Sequence, residues 1–249
     1  MGSAGWPEPP NDTQGGIEVG SPETRSLVKA REDLEAAVGI LRGGGALGHG
    51  SHANLSVRLD EGRIALTRRS TVADLERHDP HALCVVDLEG RVLEGDVDPA
   101  MDEVITMHTR VYQERADVGS AIHTHAPHLT ALAVAHHTLE LIHEPMLRVG
   151  VTRPVSVVAW APRGSSESVE GIAERARLDR GVRAVLLANH GVLAFAEDPE
   201  RTARVLVTLE EAAALAIMAA AVGGAKPLPE RAADEVRSRL AQYGPTGRT

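Results

Sequence analysis

The sequence is poor in aromatic residues, in cysteine and in positive charge. Phe, Trp and Tyr make up 2% of its 249 residues, and Cys84 is its one cysteine. A single cysteine excludes an internal disulfide and a Cys-x-x-Cys zinc or redox motif. The formal net charge of -9 argues against a nucleic-acid partner, because phosphate backbones are bound by basic surfaces. We therefore expect a cytoplasmic protein that binds no nucleic acid.

Long apolar runs are also missing. No uninterrupted apolar stretch approaches the roughly 18 residues that a membrane span requires, and the start, MGSAGWPEPPNDTQGG, has neither a cationic patch nor an apolar core. We therefore expect neither export nor membrane insertion. Residues 1–20 are rich in Gly, Pro and polar side chains, which favours a disordered arm. Residues 21–249 are predicted to form one catalytic domain.

Hydrophobic periodicity predicts helices and strands in alternation. Ser21, Pro22 and Glu23 are typical of a helix start, and the glycines at 43–45 of a helix end. Further helices are predicted for 102–114, from Ser165 or Ser166 to 181, for 198–223, and from about 229. Period-two patterns within 49–66 and 82–95, with short turns, predict antiparallel strand pairs. These elements predict an α/β fold, a three-layer α/β/α sandwich on a mainly antiparallel or mixed sheet.

The chain has 12 histidines, and half of them lie between His123 and His143. Residues two apart in a strand point to the same face, so His123 and His125 would project side by side and could share one metal ion. His190 is the natural third ligand, since it ends a predicted apolar strand and precedes a glycine that permits a turn. Three imidazoles would leave open positions for a substrate, which favours a catalytic metal site.

The remaining candidates are weaker. His128, His136 and His137, like His78 and His81, are interpreted as surface or core histidines without a role in catalysis. The sequence leaves open whether His49, His52 and His108 support the site. Glu103 opens a predicted helix, where acids are common because the helix dipole favours them, so this position alone does not assign it a role.

Four motifs in this order carry a family resemblance. They are NLSVR at Asn54–Arg58, MDE at Met101–Glu103, IHTH at Ile122–His125 and NHGVLAF at Asn189–Phe195. From about residue 27 to 224 the chain resembles the class II aldolase/adducin family, with a fuculose-phosphate aldolase-like fold. The resemblance implies an α/β/α domain, usually in a homotetramer. It also implies one divalent metal ion per subunit, held by the residues matching His123, His125 and His190, and Glu103 as the general base.

The phosphate-binding residues of that family are altered in this chain. A loop that resembles Thr-Pro-Ser-Gly in the sugar-phosphate aldolases is Thr-Arg-Arg-Ser at 67–70, and two serines before the acid are replaced by Met101 and Asp102. Arg68 or Arg69 could hold a carboxylate instead, and Arg58 has the better claim because it shares a strand face with two polar residues. A tyrosine proton donor also has no match, which leaves His143 and Glu144 as candidates. The predicted substrate-binding residues are Asn54, Ser56, Arg58, Asp102 and Glu144.

These observations favour a metal-dependent carbon–carbon lyase, either an aldolase or a decarboxylase. Its substrate would be a small non-phosphorylated oxo or hydroxy acid, and the metal would stabilise an enediolate. One alternative is a non-heme iron(II) oxygenase acting on a 2-oxo or hydroxy acid, as in a branch of the family in aminocoumarin biosynthesis. The other is a non-enzymatic adducin-like binding module. Zinc and iron(II) are the expected metals, with cobalt, nickel and manganese also compatible with an imidazole site.

Overall fold

The computed structural model describes residues 25–48 and 51–242, so the predicted arm 1–20 and His49 lie outside the described residues. The strands are β1 Ala53–Arg58, β2 Arg63–Thr67, β3 Leu83–Asp87, β4 Val92–Glu94, β5 Ser120–Thr124, β6 Val157–Val158, β7 Ala184–Leu187 and β8 Gly191–Ala196. The α-helices are α1 Leu27–Gly43, α2 Ala73–Glu76, α3 Asp102–Glu114, α4 Pro127–Val134, α5 Glu144–Arg148, α6 Ser166–Arg177, α7 Pro199–Ala219 and α8 Ala232–Gln242.

All eight strands form one sheet in the order β4-β3-β2-β1-β5-β8-β7-β6. Every neighbouring pair is antiparallel except β6 and β7, which are parallel. The predicted α/β fold on a mostly antiparallel, mixed sheet is therefore confirmed. Two hairpins, β1–β2 and β3–β4, arise from short turns, and Gly90 in the second turn has φ +88°, a value that glycine tolerates without strain.

Apolar side chains pack against both faces of the sheet. On one face, α1, α4 and α7 cover the side chains of alternating β1 residues such as Leu55 and Val57. On the other face, α3 and α6 cover Ile64, Leu66 and Phe195. The period-two alternation of the strands therefore feeds two separate apolar layers, which makes the three-layer sandwich.

Three element ends differ from the predictions. Helix α1 is capped by Ser26, whose side chain accepts from the backbone N–H of Lys29, so the helix begins after the predicted start at Ser21, a residue outside the described part. The last helix begins at Ala232 rather than near 229. The β7 strand ends at Leu187, so His190 lies in the β7–β8 turn and not at the strand end. Pro229 is followed by a turn, which delays α8.

Within Pro199–Val222, which is α7 with a final 3-10 turn, an 18-residue window with a mean hydropathy of 2.0 is long and apolar enough to cross a membrane by length and composition. In the structure 33% of that apolar window is buried within the protein. Ala203, Leu206 and Leu209 lie in the core between α1 and the sheet. Its first half is therefore an ordinary core element of the sandwich.

Candidate active site

A cavity opens where the end of β5, the β7–β8 turn and the helices α3 and α6 meet. Its deeper part is lined by polar side chains from β1, β5, α3, α6 and the adjoining loops and by apolar ones such as Val104 and Met107. The adjoining outer part continues past His125 and the β6–α6 loop. The polar residues that line one or both parts include His52, Asn54, Glu103, His123, His125, Arg163 and His190.

His123 is the most buried of the cavity histidines, with 2% of its surface exposed. It lies in β5, opposite Leu193 of β8, and its Nδ1 donates to the carbonyl of Val192 at 3.0 Å. A neutral imidazole that donates through Nδ1 carries its lone pair on Nε2. The backbone of β8 thereby leaves the other ring nitrogen of His123 available to a metal ion.

His125 follows directly after β5, and its Nε2 is buried without a hydrogen-bond partner among the described residues. The ring fits because its neighbours are glycines. A Cβ on Gly191 would lie 2.8 Å from its Cδ2, and a Cβ on Gly48 would lie 3.2 Å from its Cβ. An unpaired buried nitrogen is costly, so a ligand at this point would satisfy an otherwise orphaned atom.

The rings of His123, His125 and His190 meet as the sequence predicts. The ring centroids of His123 and His125 are 5.1 Å apart. The ring centroid of His190 lies 4.7 Å from that of His123 and 4.9 Å from that of His125. The structure adds His52, whose ring stacks on His125 at 4.6 Å. Ligand nitrogens of His52, His123 and His125 all lie within 4.8 Å of one another. Among the described residues the cavity thus holds four imidazoles, and His123 and His125 belong to both possible ligand trios.

Burial keeps these imidazoles neutral. Desolvation lowers the pKa of His52 and His125 and lowers that of His190 to about 4. It lowers the pKa of His123 well below its usual value, helped by the neighbouring histidines. Neutral imidazole is the form that binds metal. The free nitrogen of His123 and the orphaned nitrogen of His125 therefore fit a divalent ion of the zinc or iron type.

Glu103 stands at the first turn of α3 and lines the deeper part of the cavity. One of its carboxylate oxygens, Oε2, is 3.4 Å from Nε of Arg163, in the loop between β6 and α6. The next residue, Gly164, has φ +72°, and a Cβ there would lie 2.7 Å from Cγ of Glu103. This loop therefore approaches the acid as closely as a glycine permits.

A buried hydrogen-bond chain lies beneath the cavity, between β1 and α3. Nε2 of His108 donates to Oδ1 of Asn54 at 2.6 Å, and its Nδ1 accepts from the hydroxyl of Ser56 at 2.7 Å. The Ser56 oxygen in turn accepts from the Tyr112 hydroxyl at 2.8 Å. Complete burial lowers the pKa of His108 to about 3 and raises that of Tyr112. With its oxygen engaged, Asn54 meets the cavity as a hydrogen-bond donor.

Of the predicted substrate-binding residues, the structure brings Asn54 to the cavity and leaves the others elsewhere. Ser56 is fully buried in the chain described above. The Arg58 guanidinium lies under α3, where Nε donates to the carbonyl of Val118 at 3.0 Å and Nη2 to that of Tyr112 at 3.1 Å. These contacts occupy the side chains of Ser56 and Arg58 within the fold, so neither residue is assigned as a substrate ligand.

Asp102 and Glu144 also lie outside the cavity lining. Asp102 is exposed at the start of α3, and Glu144 pairs with Arg148 one helical turn further along α5. The two arginines of the altered loop do not line the cavity either. Arg68 pairs with Asp74 and Asp79, while Arg69 is exposed. The surface interpretation of His78, His81, His128, His136 and His137 agrees with their exposure.

Sequence reasoning missed Arg163 and left His52 undecided. His52 has the same parity as Asn54, Ser56 and Arg58, so extending the alternation by one step would place it on the polar face of β1. Arg163 carries no comparable signal. It lies in a loop far along the chain from Glu103, and no periodicity relates the two residues.

Comparison with known proteins gives one consistent result. Residues 36–217 match the family described as "Class II Aldolase and Adducin N-terminal domain". The chain is 27% identical to a 5-deoxy-D-ribulose 1-phosphate aldolase of Bacillus thuringiensis, over 88% of this chain and 98% of that protein. It is 33% identical to a 3-oxo-tetronate 4-phosphate decarboxylase of Haemophilus influenzae, over 67% and 77%. Among solved structures, an L-fuculose 1-phosphate aldolase superposes with a TM-score of 0.74 at 26% identity, covering 88% of this chain and 99% of that one.

Proposed function

Since this chain belongs to the class II aldolase/adducin family, we propose that it is a divalent-metal-dependent carbon–carbon lyase. We infer that the enzyme is an aldolase or a decarboxylase and that its substrate is a small non-phosphorylated oxo or hydroxy acid. Relatives with aldolase and decarboxylase names support the reaction class. The observation that carries the proposal is the meeting of four neutral imidazoles and Glu103 around one cavity.

His123 and His125 would hold the metal ion, together with His190 or His52. The orphaned Nε2 of His125 and the Nδ1–H donation of His123 to a carbonyl support this ligand set. A bound divalent ion would supply Lewis-acid polarisation of the substrate's oxygen atoms. The neutral state of the imidazoles means that no proton has to leave them before they bind at neutral pH.

Glu103 would carry the proton. Its carboxylate lines the same cavity as His123 and Asn54, so it can reach a group bound between them. Asn54 would donate a hydrogen bond to a substrate oxygen, because His108 already occupies its Oδ1. Val104, Met107 and Leu187 form an apolar wall of the same cavity, which limits the water around a developing charge and strengthens electrostatic contacts.

The structural surroundings of the altered loop support a substrate without phosphate. Arg68 is held by two carboxylates, and Met101, which replaces a serine in the resemblance, is buried with its sulfur 3.3 Å from the Ser70 hydroxyl. A thioether offers no donor to a phosphate oxygen. The two relatives are named for phosphorylated substrates, so this part of the proposal separates the chain from them.

Two measurements test the proposal. Metal analysis of tag-free protein should find about one divalent ion per chain, and His125→Ala should remove it, while His137→Ala, at an exposed position, should retain it. Screening 2-oxo and 3-hydroxy acids for cleavage or CO₂ release should then identify a substrate. Glu103→Gln should retain the metal and lose about 10²- to 10⁴-fold in turnover, the usual contribution of a positioned acid or base.

Two results would overturn the proposal. Loss of all metal from the wild-type protein under mild purification would favour an adducin-like binding module. The protein can be loaded with iron anaerobically and then given a 2-oxo acid. Oxygen uptake at that step would favour the oxygenase, provided that the acid is not cleaved when oxygen is absent. The homotetramer remains part of the proposal and is tested by light scattering during size-exclusion chromatography.

A further inference from the structure

The cavity contains one basic side chain whose role the metal-dependent chemistry does not explain. Of the residues that line either part of the cavity, Arg163 is the one Arg or Lys. We propose that Arg163 binds the carboxylate of the substrate, and that Glu103 is its partner until the substrate arrives. This inference rests on the proposed function, because it names the chemical group that the same cavity accepts.

The place of Arg163 in the fold is determined by the backbone around it. It ends the loop between β6 and α6, directly before Gly164, whose positive φ lets the loop turn against Glu103. Ser165 then caps α6 by accepting from the backbone N–H of Ser168, which anchors the loop at its far end. The guanidinium is therefore held at the mouth of the cavity, and its side chain is 61% exposed.

Arg163 is close to both the acid and the imidazoles of the cavity. Its ion pair with Glu103, at 3.4 Å, balances one negative charge at the site. It also lines both parts of the cavity together with His52 and His190. A guanidinium within range of both the acid and the imidazoles is placed to contact a ligand lying between them.

The pairing geometry favours a carboxylate. A guanidinium offers a planar fork of donors that matches a carboxylate, and an exposed ion pair is weak enough for a ligand to replace it. A phosphate dianion would place more negative charge beside Glu103, and Arg68 of the altered loop is held by Asp74 and Asp79. When a carboxylate takes the fork, Glu103 loses its partner and becomes free to move a proton.

The test compares two probes of similar size on the zinc-loaded protein, by titration calorimetry at low salt. Pyruvate carries a carboxylate beside its carbonyl, and hydroxyacetone carries a neutral hydroxymethyl group there. Arg163→Gln should weaken pyruvate binding about tenfold or more, leave hydroxyacetone binding within twofold and leave zinc affinity within twofold. Arg175→Gln, at an exposed arginine near the end of α6, is the matched control and should change none of the three.

Competition between Glu103 and the ligand gives a second arm. Glu103→Gln should raise the affinity for pyruvate severalfold, because it releases Arg163 from its ion pair, and adding Arg163→Gln should cancel that gain. Unchanged pyruvate binding in Arg163→Gln with zinc still bound overturns this inference and leaves the lyase proposal standing. Failure of the wild-type protein to bind zinc, iron(II) or any other divalent ion overturns the lyase proposal instead. If Arg163→Gln weakens inorganic phosphate binding but not pyruvate binding, the ligand class is wrong.

Discussion

The buried histidine beneath the cavity makes the stability of this protein depend on pH in a calculable way. His108 is fully buried and its pKa falls to about 3, whereas an exposed histidine titrates near 6.5. Between these two values the unfolded chain binds a proton at this residue and the folded chain does not. Stability must therefore fall as the pH drops from 6.5 towards 3, and it is unaffected by this residue above about pH 7.

The magnitude follows from the size of the pKa difference. Integrated from pH 7.5 downwards, the pKa difference of His108 alone should remove roughly 1 kcal/mol of unfolding free energy by pH 5.5 and roughly 3 kcal/mol by pH 4.5. Carboxylates with a lowered pKa, such as Asp117 and Asp179, also reduce the stability of the protein as the pH falls. The contribution of His108 is therefore isolated only by comparison with a variant.

The assay is urea unfolding of chelator-treated protein at pH 7.5, 5.5 and 4.5. His108→Gln should be destabilised at pH 7.5, because it disturbs the hydrogen bonds to Asn54 and Ser56. The difference in unfolding free energy between wild type and variant should then be smaller at pH 4.5 than at pH 7.5, by roughly 2 to 3 kcal/mol. His81→Gln, at an exposed position, should follow the wild-type curve. A constant gap at all three pH values would refute the claim that His108 stays neutral in the folded state.

Three further results are expected. Gly191→Ala places a Cβ 2.8 Å from the His125 ring, so zinc affinity in a chelator competition should fall about tenfold or more, while Gly39→Ala, with nothing within 4 Å of its Cβ, should retain it. Arg115→Met removes a buried guanidinium that donates to four backbone carbonyls and to Asp117, and should cost about 3 to 5 kcal/mol in urea unfolding. Asp198→Ala removes the side-chain cap of α7 and should cost about 1 kcal/mol in the same assay.

Strand parity accounts for most of what the sequence could predict about the site. The alternation in β5 places His123 and His125 on one side, and the antiparallel pairing of β5 with β8 brings the preceding turn, with His190, to the same end. The shift of His190 from strand end to turn does not disturb this meeting, because the hairpin geometry is local. Local sequence patterns therefore predict which histidines can meet, and the pairing of β5 with β8 brings them together.

The alternation along a strand does not determine how deeply each side chain is buried. Asn54, Ser56 and Arg58 do share one face of β1, as the alternation predicts. Whether such a face meets solvent or a helix depends on which element covers it, and α3 covers it with His108 and Tyr112. Three polar residues with the same pattern therefore have different surroundings, and only the first one lines the cavity.

Loop residues define the other limit of sequence reasoning. His52 lies one residue before β1, next to Ser51 with φ +60°, so the strand pattern marks its face but not its contact with His125. Arg163 reaches the cavity through a turn whose direction depends on Gly164 and on the close approach of α3. Such contacts join segments distant in the chain, and only the packed fold brings them together.

The packing of the fold lowers the pKa of histidines in and beneath the cavity, so the state of the site depends on the fold. His123 and His108 both have a lowered pKa because the helix α3 and the sheet exclude water from their rings. The neutral ring of His123 offers a free nitrogen, and the neutral ring of His108 accepts from Ser56 through Nδ1 while it donates to Asn54 through Nε2. Protonation of either ring would require water to enter between α3 and the sheet. The same packing therefore preserves the metal-binding state of the imidazoles and the orientation of the donor, so acid should impair the site and the fold together.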